Sequence, residues 1–89
     1  MSNIEVTLLT RPGCHLCEDA QRIIEAALRD FPRATLIERD ISDDVELTAE
    51  YGEKIPVVLI DGSPHAIWRV QDEKFRAALK DADARSATS

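Results

Sequence analysis

Both cysteines of the chain fall in one short stretch, Cys14-His15-Leu16-Cys17, directly after the apolar run Ile4 to Leu9 and the breaker Thr10-Arg11-Pro12-Gly13. No other feature restricts the backbone as much, because two thiols act together only where the chain turns both to one side. Helical geometry does this. Residues about one turn apart share a face, with α-carbons roughly 5 to 6 Å apart and inside disulfide range. The stretch therefore requires a strand to stop, a loop to turn, and a helix to begin at or just after Cys14.

Such a helix start makes the two sulfurs unequal. Cys14 lies among the unsatisfied N–H groups at the positive end of the helix, which favours thiolate and lowers the pKa below the free value of about 8.5. Cys17 falls on a stripe that continues through Ala20, Ile24, Ala27 or Leu28, and Phe31, so burial keeps it nearer a neutral thiol. Nearby charge acts in both directions. Arg11 and a protonated His15 support a thiolate, while Glu18 and Asp19 oppose it. An exposed attacker beside a shielded resolver is the arrangement that thiol–disulfide exchange uses.

Three other chemistries also use close cysteines. Haem attachment takes C-x-x-C-H, and Glu18 stands where that histidine belongs. A structural staple closing so short a loop stabilises little, and in a reducing compartment a close pair is more often catalytic or metal-binding. A tetrahedral zinc site needs four ligands. Cys14, Cys17, His15 and His65 are all the Cys and His of the chain, and His15 projects away from both cysteines. No metal ligand is assigned. A metal or iron–sulfur module on Cys14 and Cys17, completed across a dimer, stays open as an alternative, as does an interaction domain without turnover.

Composition narrows the partners. The 89 residues support one domain with a single core, close to the lower size at which a core suffices. With 4% aromatic against 44% hydrophobic residues, that core is aliphatic. A net charge of -6 and a pI near 4.8 leave no basic footprint for nucleic acid or anionic lipid. No run approaches the ~20 apolar residues of a membrane span. The start "MSNIEVTLLTRPG" carries neither the basic n-region nor the cleavage site of a secretory signal. The expectation is a cytoplasmic monomer with no nucleic-acid and no membrane partner.

Period and punctuation give the elements. "IEVTLL" loses its alternation at Leu8-Leu9, as a strand buried on both faces does. The cysteine helix runs to Phe31, where Pro32 stops it. "ATLIERD" is a second strand, followed by a helix with Asp43 and Glu46 as its capping pair and Gly52 at a left-handed end. "IPVVLI" is a third strand, "DGSP" a turn, and "HAIWRV" a fourth strand. Asp72 caps a last helix with Phe75, Ala78, Leu79 and Ala82 on one face. The domain is expected over 1–82, with the polar tail 83–89 frayed. The order is β-α-β-α-β-β-α, with strands one and two parallel and strands three and four antiparallel.

The C-x-x-C opening the first helix and "YGEKIPVVLIDG" opening and forming the third strand together resemble the thioredoxin superfamily. The small size resembles its glutaredoxin branch, and within it a glutaredoxin-like group found mainly in bacteria. The resemblance covers about Ile4 to Leu79. It implies an α/β fold, a four-stranded mixed sheet flanked by three helices, and a thiol–disulfide oxidoreductase in which Cys14 attacks and Cys17 resolves. It also implies a cis Ile55–Pro56 bond facing the dithiol, with the Ile55 backbone left to bind an incoming disulfide.

Sheet geometry then brings the end of strand one, Ile55-Pro56, and Trp68-Arg69 to one edge. Candidate substrate-binding residues are accordingly Arg11, His15, Ile55, Pro56, Trp68 and Arg69. Trp68 either shapes the substrate groove or caps the core beneath the last helix. Arg69 either holds a substrate carboxylate or is simply solvated. His65 reads as a strand residue near the turn. No bound cofactor is expected, and electrons come from a thiol or a reductase. Two departures bear on the donor. Dithiol glutaredoxins carry C-P-Y-C, and their glutathione-holding Gly-Gly after strand four is replaced here by "AIWRVQD". Glutathione use is therefore expected to be poor.

Overall fold

The computed structural model describes residues 4–88. The elements are β1 (Ile4–Thr10), α1 (His15–Leu28), β2 (Ala34–Asp40), α2 (Val45–Tyr51), β3 (Val57–Ile60), β4 (Ser63–Ile67) and α3 (Asp72–Thr88). One mixed sheet has the order β2-β1-β3-β4. β1 runs parallel to β2 and antiparallel to β3, which is antiparallel to β4. The expected order and strand directions hold.

Alternation of side chains divides the sheet into two faces. Ile4, Val6, Leu8 and Val58 form the main core with Ala20, Ile24 and Ala27 of α1 and Phe75, Leu79 and Ala82 of α3. Leu9, Val57 and Ile41 face the other way, under Leu47 and Tyr51 of α2. β1 is apolar on both faces only at Leu8-Leu9, where α2 covers the second face; Glu5, earlier on that face, is exposed.

Several boundaries differ from the sequence reading, each for a local reason. α1 ends at Leu28 rather than Phe31. Asp30 and Phe31 N–H donate to the Ala27 and Leu28 carbonyls, each at 3.1 Å, so the last turn tightens before Pro32 is reached. The cap of α2 is Asp44, not Asp43: its Oδ1 accepts from Leu47 N–H at 2.9 Å and its Oδ2 from Arg39 Nη2 at 2.8 Å. Gly52 is right-handed, with φ -53, so handedness does not explain it. A Cβ there would lie 2.5 Å from the Thr48 carbonyl oxygen.

β3 starts at Val57, after Ile55-Pro56 rather than with them. The hairpin turn is Asp61-Gly62 alone, with φ 50 and 84, the two positive values that a type I′ turn demands. Ser63 and Pro64 therefore pair with Ile60 and Leu59 instead of belonging to the turn. A proline is tolerated there because β4 is an edge strand. Asp61 also anchors the turn to β1: Glu5 N–H donates to its Oδ1 at 2.9 Å, and its own N–H donates to the Glu5 carbonyl at 2.8 Å. β4 ends at Ile67, not Val70, because Trp68 turns to φ 65.

At the start of α3, Phe75 N–H donates to the Gln71 carbonyl at 2.8 Å. Asp72 lies inside the helix, its carboxylate accepting from Arg76 Nε at 2.9 Å. The tail expected to fray from residue 83 is helical through Thr88; Ser89 lies outside the described residues, as do residues 1–3. A contact distant in sequence holds it. Arg33 donates through Nε to Asp83 Oδ1 at 3.0 Å and through Nη2 to the Asp83 carbonyl at 3.2 Å.

His65 sits at the irregularity of the β3–β4 ladder, its ring 5.8 Å from that of Phe75. Burial lowers its pKa from the ordinary 6.5, because desolvation disfavours the imidazolium. The native state thus binds fewer protons here than the unfolded chain, and stability falls as pH drops through and below that ordinary value. His65→Gln is expected to remove this part of the pH dependence. Denaturant unfolding between about pH 7.5 and 5.5 checks it: the wild type loses stability relative to the variant on acidification, and parallel curves contradict the assignment.

Candidate active site

Three chain segments reach the same edge of the sheet: the end of β1 with its loop, the segment before β3, and the end of β4. Cys14 is the N-cap of α1, extended at φ -91 and ψ 108, and its sulfur accepts from Cys17 N–H at 3.1 Å. The side chain thereby satisfies one of the orphan donors of the helix start. Gly13 at φ 78 makes the turn into the helix. Cys17 is one turn in and 6% exposed, on the buried stripe with Ala20, Ile24 and Ala27. The two cysteines are joined as a disulfide with α-carbons 5.3 Å apart, as the helical spacing predicts.

Two hollows adjoin this pair, and a third lies beyond Leu16 and touches neither cysteine. One of about 180 Å³ lies beside both cysteines, between Thr10, Arg11, Glu18, Gln21 and Glu38. A second, of about 260 Å³, opens on Cys14 between Arg11, Pro12, Gly13, Gly52, Glu53 and Ile55. A third is a groove of about 560 Å³ running from Leu16 along Ala20 and Ile23 of α1, with Trp68, Arg69 and Val70 opposite.

Four of the six predicted substrate-binding residues line these hollows, and His15 and Pro56 do not. Arg11 is exposed, lines both hollows that Cys14 touches, and makes no ion pair among the described residues. His15 is 96% exposed, with Nδ1 at 4.0 Å from Glu18, and lines none of the three. Ile55 forms part of the Cys14 cleft, and the Ile55–Pro56 bond is cis. The Pro56 ring is fully buried behind it and lines none of the hollows. Trp68 and Arg69 border the groove. Trp68 is 55% exposed and does not cap the core, which is closed by Val70 and Phe75 instead.

Glu38 and Glu53 are among the residues at the site that escaped the sequence reading, as is Gln21. Glu38 pairs with Leu8 across the parallel ladder, and the alternation Ala34, Leu36, Glu38 places it on the α1 side; that alternation was the available signal. Glu53 lies in the loop before β3, where no periodicity points to it. Among the described residues no three His, Cys, Asp or Glu side chains gather as a metal's ligand set.

Residues 5–80 match the Glutaredoxin-like domain (DUF836). The chain belongs to this glutaredoxin-like family. A Mycobacterium tuberculosis protein of uncharacterised function is 36% identical over 83 residues, 89% of this chain and 86% of that protein. A glutaredoxin-like protein of Dictyostelium discoideum is 34% identical over 78 residues, 82% of this chain and 72% of its own length. Among solved structures, a structural-genomics target from X. campestris superimposes with a TM-score of 0.70 at 29% identity, covering 85% of this chain and 96% of that one. Fasciola hepatica thioredoxin gives 0.66 at 17% identity, over 90% of this chain and 81% of its own, and shows the shared fold. A thioredoxin-like fold with C-x-x-C cysteines at disulfide distance supports a redox role for this glutaredoxin-like chain.

Proposed function

We propose that this chain is a thiol–disulfide oxidoreductase in which Cys14 attacks and Cys17 resolves. The observation that carries the reading is the placing of Cys14 at the N-cap, with Cys17 buried one turn inside. In the reduced protein the Cys14 thiolate attacks one sulfur of a substrate disulfide. That bond breaks, a mixed disulfide forms, and the leaving sulfur departs as a thiolate. Cys17 then gives up its proton and attacks the Cys14 sulfur, releasing the second substrate thiol. Two electrons pass to the substrate, and the Cys14–Cys17 disulfide remains. Arg11 beside Cys14 favours the thiolate, and Ile55 with Pro56 shapes the place where the substrate disulfide docks.

No resident cofactor enters this cycle. A thiol or a reductase returns the electrons, acting on a cytoplasmic monomer. Glutathione is expected to be a poor donor, because Trp68-Arg69 stands where glutathione-binding relatives of this fold carry Gly-Gly. The test is a redox titration against defined thiol buffers, with parallel turnover assays supplying either glutathione or thioredoxin reductase. A single two-electron transition and slow turnover with glutathione are expected. Metal bound stoichiometrically to the freshly purified protein, with no disulfide reduction, would turn the assignment to a metal module. Turnover with glutathione as fast as a C-P-Y-C glutaredoxin's would overturn the donor assignment alone.

A further inference from the structure

We propose that Trp68 is a positioning residue whose two N–H groups latch the Glu53–Pro56 loop, and with it the wall of the Cys14 cleft, for a docking disulfide. The docking part rests on the oxidoreductase reading above. Trp68 holds φ 65, a conformation that an aromatic residue rarely adopts and that persists only where the surroundings impose it. Its main-chain N–H donates to the Pro56 carbonyl at 2.8 Å and also reaches the Lys54 carbonyl at 3.2 Å. Its indole Nε1 donates to the Glu53 carbonyl at 2.9 Å. One residue at the end of β4 thus engages three carbonyls of the segment leading into β3.

That segment has few other holds. Outside the sheet ladder, the one further main-chain bond among the described residues 53–56 is Lys54 N–H to the Tyr51 carbonyl, at 2.8 Å. Glu53 and Ile55 from the same segment line the cleft that opens on Cys14. A strand-forming aromatic bent out of the strand and 55% exposed as a residue is poorly explained by core packing. Arg69 N–H closes the turn around it by donating to the Ile67 carbonyl at 2.7 Å, and the carbonyls that Trp68 gathers account for where its indole lies.

The experiment separates the indole N–H from the apolar ring. Trp68→Phe keeps an aromatic ring and loses the donor, while Trp68→His keeps a five-membered ring with an N–H at the corresponding position. Three readouts are taken: amide exchange of residues 53–55, the concentration dependence of peptide-disulfide reduction by the reduced protein, and the pH profile of Cys14 alkylation. For Trp68→Phe we expect loop exchange and the half-saturating concentration each to rise roughly fivefold, as the loss of one hydrogen bond allows. The limiting rate and the alkylation profile stay unchanged, and Trp68→His recovers most of the loss.

Unchanged loop exchange in Trp68→Phe, or a loss larger in Trp68→His than in Trp68→Phe, overturns the latch. Should Trp68→Phe fail to fold, the wild type decides. Trp68 is the chain's single tryptophan, so its one indole N–H is followed directly: slowed exchange upholds the latch, and exchange at the rate of free indole overturns it. A wild-type protein that reduces no disulfide overturns the oxidoreductase reading and the docking role, while loop exchange still decides the latch.

Discussion

Cys17→Ser is expected to accumulate as a stable mixed disulfide through Cys14, and Cys14→Ser to lose disulfide attack by several orders of magnitude. The asymmetry follows from where α1 begins. Cys14 sits at the N-cap, where N–H groups and the helix dipole favour its thiolate. Cys17 is 6% exposed, and desolvation there disfavours charge. In the reduced protein, iodoacetamide near neutral pH should therefore modify Cys14 first. Peptide mapping after timed alkylation reads the order directly. In Cys17→Ser no second thiol remains to expel the substrate, so the trapped species should persist until an external thiol is added, and mass spectrometry would detect it. Finding Cys17 alkylated first, or the trap in Cys14→Ser, would reverse attacker and resolver.

Phe75→Ala should have the largest effect on stability. Phe75, on α3, is fully buried and the largest side chain in the main core, in one cluster with Ile4, Val6 and Leu8 of β1 and Val58 of β3 and against the ring of His65. Truncating a buried phenylalanine costs about 3 to 5 kcal/mol through lost transfer energy and the cavity left behind. A domain of this size has roughly 4 to 13 kcal/mol in total, so the variant loses a large part of its stability. A fall in Tm on the order of 20 °C is expected in a thermal melt followed by circular dichroism. Phe75→Leu, which keeps most of the volume, should lose less than half as much. A shift in Phe75→Ala under about 5 °C would mean that the core collapses around the gap far better than its packing indicates.

Local signals carried the architecture because each element of the main core has its own period. Ile4, Val6 and Leu8 alternate, and Cys17, Ala20, Ile24 and Ala27 keep helical spacing. The position of the dithiol was equally legible, since a breaker followed by helical periodicity leaves Cys14 little choice of place. What escaped depended on contacts far apart in sequence. Trp68 belongs to a residue type that favours strands, and its positive φ accompanies bonds to carbonyls of the loop before β3 and a tight Arg69 N–H to Ile67 carbonyl bond. The small polar residues after Ala82 read as fraying, yet Arg33, fifty residues earlier, binds Asp83. Pro64 sounded like part of a turn because proline usually is. The Asp61-Gly62 pair alone closes the hairpin, and the free outer edge of β4 makes room for the ring.

The two faces of the sheet imply a hierarchy of cooperative units. α1 and α3 enclose the main core, whereas no residue of α2 is itself buried and its face rests on Leu9, Ile41 and Val57. Opening α2 away from the sheet therefore exposes little apolar surface and needs far less free energy than global unfolding. The chain from Gly52 to Ile55, which walls the Cys14 cleft, follows directly from the end of this weaker unit. Cys17 and its helix belong to the stronger one. Local opening is thus expected on one side of the sulfur pair alone, beginning at α2 and stopping at the segment that Trp68 holds. Both cysteines stay mounted on the rigid half of the molecule, and the compliant half borders them only through the chain that leaves α2.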